Sequence, residues 1–450
     1  RRDVVALAFG AMIGWSWVVL SGTWIAGAGS IGAVLAFLAG GAVMLLIGLV
    51  YAELASALPR AGGEHVYADR ALGPRASFLC TWAITLGYVS VCAFEAVALP
   101  TVVDVLVPGL DARPLWTVAG WTVTAPWLAI GVVAALGVTW LNVVGVRVAA
   151  FAQRVVVTLI LAVGVVFFLG LGLEGDPARL HPHFVDGFGG VAGVLVMVPF
   201  LFVGFDVIPQ AAEEIDLPHA AIGRLLVFSV ALAALWYALV VLGVALALPA
   251  TARGEAELVT AAAMRAVWGE PGGVALVLAG LGGILTSWNA FLVGGSRAVY
   301  AMARAGQLPA ILGRLHPRHR TPHYAIALIG GLSLVAPCFG RPALVWLVNA
   351  GGLGIVVAYA TVALSFLVLR RREPGLARPY RVPAGPAVGV TALLLSLALA
   401  SLYLPGSPAA LRWPEEWAIV GLWVVLGAAL LAVASRRHRA AGGSGARDLR

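Results

Sequence analysis

The chain has 450 residues, 61% of them hydrophobic and only 11% charged, with a formal net charge of +8 and a mean hydropathy of +0.97. A soluble chain of this length needs far more charge to cover its surface. The composition therefore excludes an ordinary soluble enzyme or binding module and indicates an all-α integral membrane protein.

No Asp, Glu, Lys or Arg occurs from Val4 to Ala52, a run long enough for two membrane spans of roughly 20 residues each. The first span has no small-residue cleavage site and carries two glycines, so it is expected to be a retained helix rather than a signal peptide. Punctuation by polar residues, Gly and Pro divides the chain into twelve predicted spans. They lie near 4–27, 31–57, 76–107, 125–143, 148–173, 191–212, 220–248, 272–304, 323–339, 342–369, 386–404 and 415–435. All 29 basic residues are arginine, a bias that fits a GC-rich genome and implies no nucleic-acid partner. With a cytoplasmic N-terminus, the inner face and the helix ends there hold 23 arginines. The other face holds six: Arg113, Arg179, Arg253, Arg265, Arg341 and Arg412. That is the positive-inside asymmetry, and it places both termini in the cytoplasm of a multi-pass cell-membrane protein. The tail over 436–450 reads as disordered, with basic residues suited to an anionic inner leaflet. Cys80, Cys92 and Cys338 lie in apolar segments without CxxC spacing and read as small buried hydrophobes.

Two spans carry helix-weakening residues at mid-membrane depth. The first reads FGAMIGWSWVVLSG over Phe9–Gly22, with Gly10 and Gly14 followed by two indoles around Ser16. The sixth reads PFLFVGFDVIPQAAEE over Pro199–Glu214, with Gly204, Asp206 and Pro209; proline removes a backbone donor and breaks or kinks a helix. Interrupted helices at matching positions of two halves are the sequence pointer to an inverted-repeat carrier. Unwound backbone offers N–H groups to an anion and carbonyls to a cation, which suits a zwitterionic amino acid. Glycines that only permit close helix packing are the alternative for either segment alone.

Four segments resemble the amino acid–polyamine–organocation (APC) family of secondary transporters. They are YAELASALPRAGGEHVYADRALG over Tyr51–Gly73, FVGFDVIPQAAEEI in the sixth span, GGSRAVYAMARAGQLPAILGRLHPRHRTP over Gly294–Pro322, and RRREPGLARPYRVP over Arg370–Pro383. The resemblance implies a LeuT-type fold: a first repeat over 1–173, an inverted second repeat over 191–369, and two further helices over 386–435. It also implies an amino acid or amine as substrate, bound at the breaks. The candidate substrate residues are then Met12, Ile13, Gly14, Trp15 and Ser16 on the first span, with Phe200, Val203 and Asp206 on the sixth. Glu95 and Phe291 join them from the third and eighth. One departure stands out: the family commonly has Gly-Ser-Gly after the isoleucine, whereas Ile13 is followed by Gly14-Trp15-Ser16-Trp17. By resemblance Phe200 is the aromatic that occludes bound substrate, and Phe291 faces the site.

Other intramembrane polar residues keep two readings. Glu95 costs about 2.5–3.5 kcal/mol to insert unless it faces a cavity or partner; it meets an ammonium or carries a proton, or else it is protonated or pairs with Arg154 or another polar group. Glu53, Glu213, Glu214 and Arg297 read as an ion-pair network at the inward gate. No organic cofactor is expected. For coupling, the resemblance offers a sodium site from the carbonyls of Gly10, Ile13 and Gly283 with the hydroxyls of Thr286 and Ser287; proton transfer through Glu95 or Asp206 is the rival, and sodium-independent exchange is a third mechanism. Several family members place a fifth-helix lysine where sodium would bind, but the matching position here is Ile160 and the chain has no lysine. A membrane-embedded enzyme would want catalytic residues clustered within spans, and the eight histidines lie in loops, at span edges or in the tail. No nucleotide-binding glycine loop supports ATP-driven pumping. A non-transporting nutrient sensor on the same fold remains the other class. The expected partners are a small-molecule substrate and the bilayer.

Overall fold

The computed structural model describes residues 2–60, 62–107, 112–145, 149–210 and 218–444. The first span is α1 (Arg2–Ile13), α2 (Ser16–Val19) and α3 (Ser21–Ala28). Its two parts, Ala8–Val19 and Ser21–Ala28, meet at 65°. The uncharged run continues into α4 (Ser30–Ala57), and a short helix, α5 (Glu64–Leu72), precedes α6 (Pro74–Leu106). Then come α7 (Ala125–Val144) and α8 (Ala149–Glu174). The sixth span is split into α9 (Gly187–Leu195), α10 (Val198–Phe202) and α11 (Val207–Gln210), followed by α12 (His219–Ala247) and the short α13 (Ala250–Glu255). The eighth, α14 (Val259–Arg304), kinks at Gly269, where φ is 68° and ψ −171°. The ninth is α15 (His323–Ser333) with a 3₁₀ turn over Ala336–Phe339; α16 (Ala343–Arg372), α17 (Gly385–Leu402) and α18 (Glu415–Ser444) complete the chain. This is an all-α membrane protein of about twelve spans, as its hydropathy pattern predicts.

Three local features differ from the expectation. Gly10 stays helical inside α1, and the turn falls at Gly14–Trp15, with a further bend near Leu20. An isolated glycine only weakens a helix, so packing decides where the span breaks. Between α6 and α7 lies an antiparallel hairpin, β1 (Pro114–Val118) and β2 (Trp121–Thr124). Its two-residue loop, Ala119-Gly120, has positive φ at both positions (48° and 81°), the geometry that matches strand twist. Finally, α18 continues to Ser444 through the first part of the segment expected to be disordered; residues 445–450 lie outside the described residues.

Spans at matching positions of the two predicted halves pack on one another. α4 lies along α12 (second and seventh), and α6 along α14 (third and eighth), while α6 also packs on α16. α1 is enclosed by α8, α12 and α14. The buried core runs through this bundle and includes Trp15, Trp17, Trp24 and Trp288.

Candidate functional site

The two broken spans meet at the centre of the bundle. Val203 ends α10 in an extended conformation (ψ 140°), and Gly204 takes φ +130°, which residues with side chains rarely adopt. A β-carbon at Gly204 would lie 2.9 Å from both the Ala11 methyl and the Met12 amide nitrogen. Glycine therefore lets the unwound backbone of the sixth span touch the last turn of α1. Tyr237 of α12 braces them from outside: its hydroxyl is 2.8 Å from the Met12 carbonyl and 3.2 Å from the Leu201 carbonyl. The phenol has one proton to give to a carbonyl, and the Ser16 hydroxyl, 3.0 Å away, can donate to the phenolic oxygen in turn.

Asp206 anchors the sixth-span break from within. Its Oδ1 accepts the Gly204 N–H at 2.7 Å, and its Oδ2 accepts the Tyr88 hydroxyl of α6 at 2.7 Å. It is fully buried and does not line the cavity between the breaks.

That cavity is about 20 Å³, room for a single water. Of the candidate residues, Met12, Gly14, Trp15, Ser16, Glu95, Phe200, Val203, Ser287 and Phe291 surround it. Ile13, Asp206, Gly10, Gly283 and Thr286 do not. The walls are mostly apolar, with the Phe200 ring tilted against Phe94 at 5.8 Å and the Phe291 ring against Tyr88 at 5.6 Å. Ser16, Ser287 and Glu95 are the exceptions, and Glu95 alone is ionisable. Its Oε1 and the Ser287 hydroxyl close around Gly14, where a β-carbon would come within 2.9 and 3.1 Å of them. Its Oε2 is buried with no hydrogen-bond partner among the described residues. A carboxylate in such surroundings needs a proton or a cation beside it. Trp15 both lines the cavity and packs over Gly280 of α14, whereas Trp17 packs edge-on against Trp236 at 5.3 Å. Around the postulated ion position, the Thr286 hydroxyl donates to the Gly283 carbonyl of its own helix at 3.1 Å, and Ile160 approaches Gly283.

The profile of the family described as amino acid permease matches residues 2–429. The chain belongs to that family. The permease is thus one of the APC transporters that its motifs resemble, not an enzyme. It is 27% identical over 443 residues to the branched-chain amino acid permease BcaP of Bacillus subtilis, covering 97% of this chain and 92% of that protein. It is 24% identical over 442 residues to the methylthioribose transporter of the same organism, covering 97% and 93%. It is 26% identical to the B. subtilis aspartate–proton symporter over 410 residues, covering 86% and 75%.

Sequence reasoning missed several site residues of the permease. Ala11, Val91, Phe94 and Leu201 complete the cavity wall, and nothing distinguishes them from other apolar span residues. Tyr237 and Tyr88 carried a signal: a lone phenol inside an apolar span needs a partner for its hydroxyl. Beside Asp206, the fully buried Glu64 of α5 accepts a hydrogen bond from the Gln210 amide. Burial, with Asp206 nearby, pushes the Glu64 carboxyl well above its ordinary range. At the cytoplasmic end of the predicted topology, Glu53 is paired with Arg370 and Arg378; Glu213 and Glu214 lie outside the described residues.

Proposed function

We propose that this permease is a secondary carrier of neutral α-amino acids, bound where α1 and α10–α11 unwind, with both termini cytoplasmic. The observation that carries this is the contact of the sixth-span break at Gly204 with the last turn of α1 at Met12, next to the first-span turn at Gly14–Trp15, beside a cavity that is apolar except for Glu95, Ser16 and Ser287. Unwound backbone meets the charged ends of a zwitterion. Val91, Phe94, Phe200, Val203 and Phe291 offer an aliphatic side chain an apolar wall. A relative named for branched-chain amino acids supports that choice. With space for one water, the described conformation is closed, and substrate entry requires the Phe94–Phe200 pair to part.

For coupling we propose a proton carried by Glu95; its unpartnered oxygen and a relative named as a proton symporter support that choice. Sodium held by Gly10, Ile13, Gly283, Thr286 and Ser287 is the rival. The same oxygen favours a second reading, a cationic amine as substrate. Uptake of radiolabelled leucine into proteoliposomes separates these. The wild type should accumulate leucine under an inward proton gradient with choline replacing sodium. Glu95→Gln should still exchange leucine, lose that accumulation, and take up no cationic amine. Accumulation that follows sodium at fixed pH would move coupling to the Thr286–Ser287 region. Loss of all neutral amino-acid binding in Glu95→Gln would overturn the neutral reading, and binding without any uptake would leave a sensor.

A further inference from the structure

A second cavity, about 410 Å³, opens at the far end of α16. Arg370, where it lies, is 19 residues from Gly351 beside Phe200, roughly 28 Å along a helix. Its polar side is formed by Arg370, Arg371, Arg378 and Arg381, and its apolar side by α16 and α17 residues such as Val368 and Val390.

Two of the four guanidinium groups pair with Glu53, while the nearby Glu373 is paired with Arg70. Glu53 holds Arg370 at 2.5 Å and Arg378 at 3.0 Å. Arg378 is further fixed by donating to the carbonyls of Leu369, Glu373 and Leu376. Arg371 and Arg381 are exposed and have no carboxylate within 4.0 Å among the described residues. The cavity lining thus carries four arginines and no carboxylate, and Arg371 and Arg381 stand without an ion pair among the described residues. The positive end of the α17 dipole at Gly385 adds to this field.

The apolar side points to the ligand. The charged rim sits where α16 ends at Arg372 and α17 begins at Gly385, the depth of lipid headgroups for two membrane spans. From there the wall runs into the span surface, where Leu364 and Val390 are 40% and 45% exposed. Free phosphate has no use for such a wall, whereas a glycerophospholipid fits both parts. We propose that this cavity binds the phosphate of an anionic glycerophospholipid, with Arg371 and Arg381 as its ligands and an acyl chain laid between α16 and α17. Basic pockets between spans on the cytoplasmic side take such headgroups; the transport reading supplies only the leaflet. An occupant would also tie α17 to the loop that brings Arg378 to Glu53.

The test is native mass spectrometry of the full chain titrated with phosphatidylglycerol and phosphatidylcholine, with thermal shift in parallel. Each basic side chain near a membrane surface contributes roughly fivefold to anionic-lipid affinity, so Arg371→Gln/Arg381→Gln should bind phosphatidylglycerol about 25-fold more weakly. Both side chains are exposed, so the variant should fold. The charge-matched control Arg314→Gln/Arg318→Gln, on the same predicted face, should bind as the wild type does. Preference for phosphatidylglycerol over phosphatidylcholine, lost only in the first variant, supports the site. Equal binding of the two lipids, equal weakening in the control, or a matching thermal shift from inorganic phosphate alone would each overturn the lipid assignment.

Discussion

Trp15 has no counterpart in the small-residue pattern its family commonly shows, and its packing explains how the chain tolerates it. A β-carbon at Gly280 would lie 1.3 Å from the Trp15 ring, so the indole occupies the volume that any larger residue there would fill. Gly280→Ala should therefore force repacking and cost about 1–3 kcal/mol, the usual penalty for overfilling a core. Thermal unfolding in detergent should show the loss, and Trp15→Leu/Gly280→Ala should recover most of it. An unchanged melting temperature for Gly280→Ala, or a double variant no better than the single, would show that the ring moves aside freely. The two indoles also mark how far residues are legible locally. Their number and depth are plain in FGAMIGWSWVVLSG. Which one faces the cavity depends on Gly280, 265 positions away, and no local pattern encodes that contact. Glu95 was legible for the opposite reason, since a lone acid in an apolar span announces itself by its cost.

Among the elements, the spans were readable because their apolar runs are long and punctuated, and the sixth-span break because Gly204 and Pro209 weaken it. The hairpin at 114–124 was not expected, as a short alternating stretch between spans gives little periodic signal. Nor was the burial of α5, a short helix carrying Glu64, His65, Asp69 and Arg70. The His65 ring is nonetheless buried against α6, with Nδ1 2.8 Å from the Ser77 hydroxyl and 3.2 Å from that of Thr81. Burial lowers its affinity for a proton below the ordinary value of 6.5, only partly opposed by Asp69. Below about pH 6.5 the unfolded chain then binds a proton that the folded chain resists, so stability falls with acid through this window. Glu64 has the opposite sign: its raised carboxyl binds a proton more readily folded than unfolded, which favours the fold as pH falls toward 4.5. Melting temperature between pH 7.5 and 5.5 should accordingly drop more in the wild type than in His65→Asn, where the Glu64 slope is left. Parallel profiles for the two proteins would remove His65 as the source.

At the scale of the whole molecule, one carboxylate ties distant parts of the chain together. Glu53 of α4, 1% exposed, takes two hydrogen bonds from Arg370 at 2.9 and 2.5 Å. It also pairs with Arg378 at 3.0 Å and accepts the Val382 N–H at 2.8 Å. The second span, the tenth span and the loop leading to the eleventh are thereby joined at one end of the bundle. Arg370 is further seated over the Phe366 ring at 4.9 Å. If two inverted halves rock about the central breaks, as the matched packing of α4 on α12 and α6 on α14 fits, opening this end must separate these groups. Glu53→Gln would leave two largely buried guanidinium groups without their counter-charge. Breaking a buried pair in this way costs about 3–5 kcal/mol, and the lower end applies because both arginine side chains retain some solvent contact, 13% and 10%. The closed state should lose that amount relative to an open one. Cys80, fully buried on α6 near Glu64, is a native reporter of that opening. In a Cys92→Ala/Cys338→Ala background, a maleimide should label Cys80 several-fold faster in Glu53→Gln than with Glu53 intact, while circular dichroism shows the helices retained. Unchanged labelling in a folded Glu53→Gln protein would mean that the ion pairs brace the loop without gating the pathway.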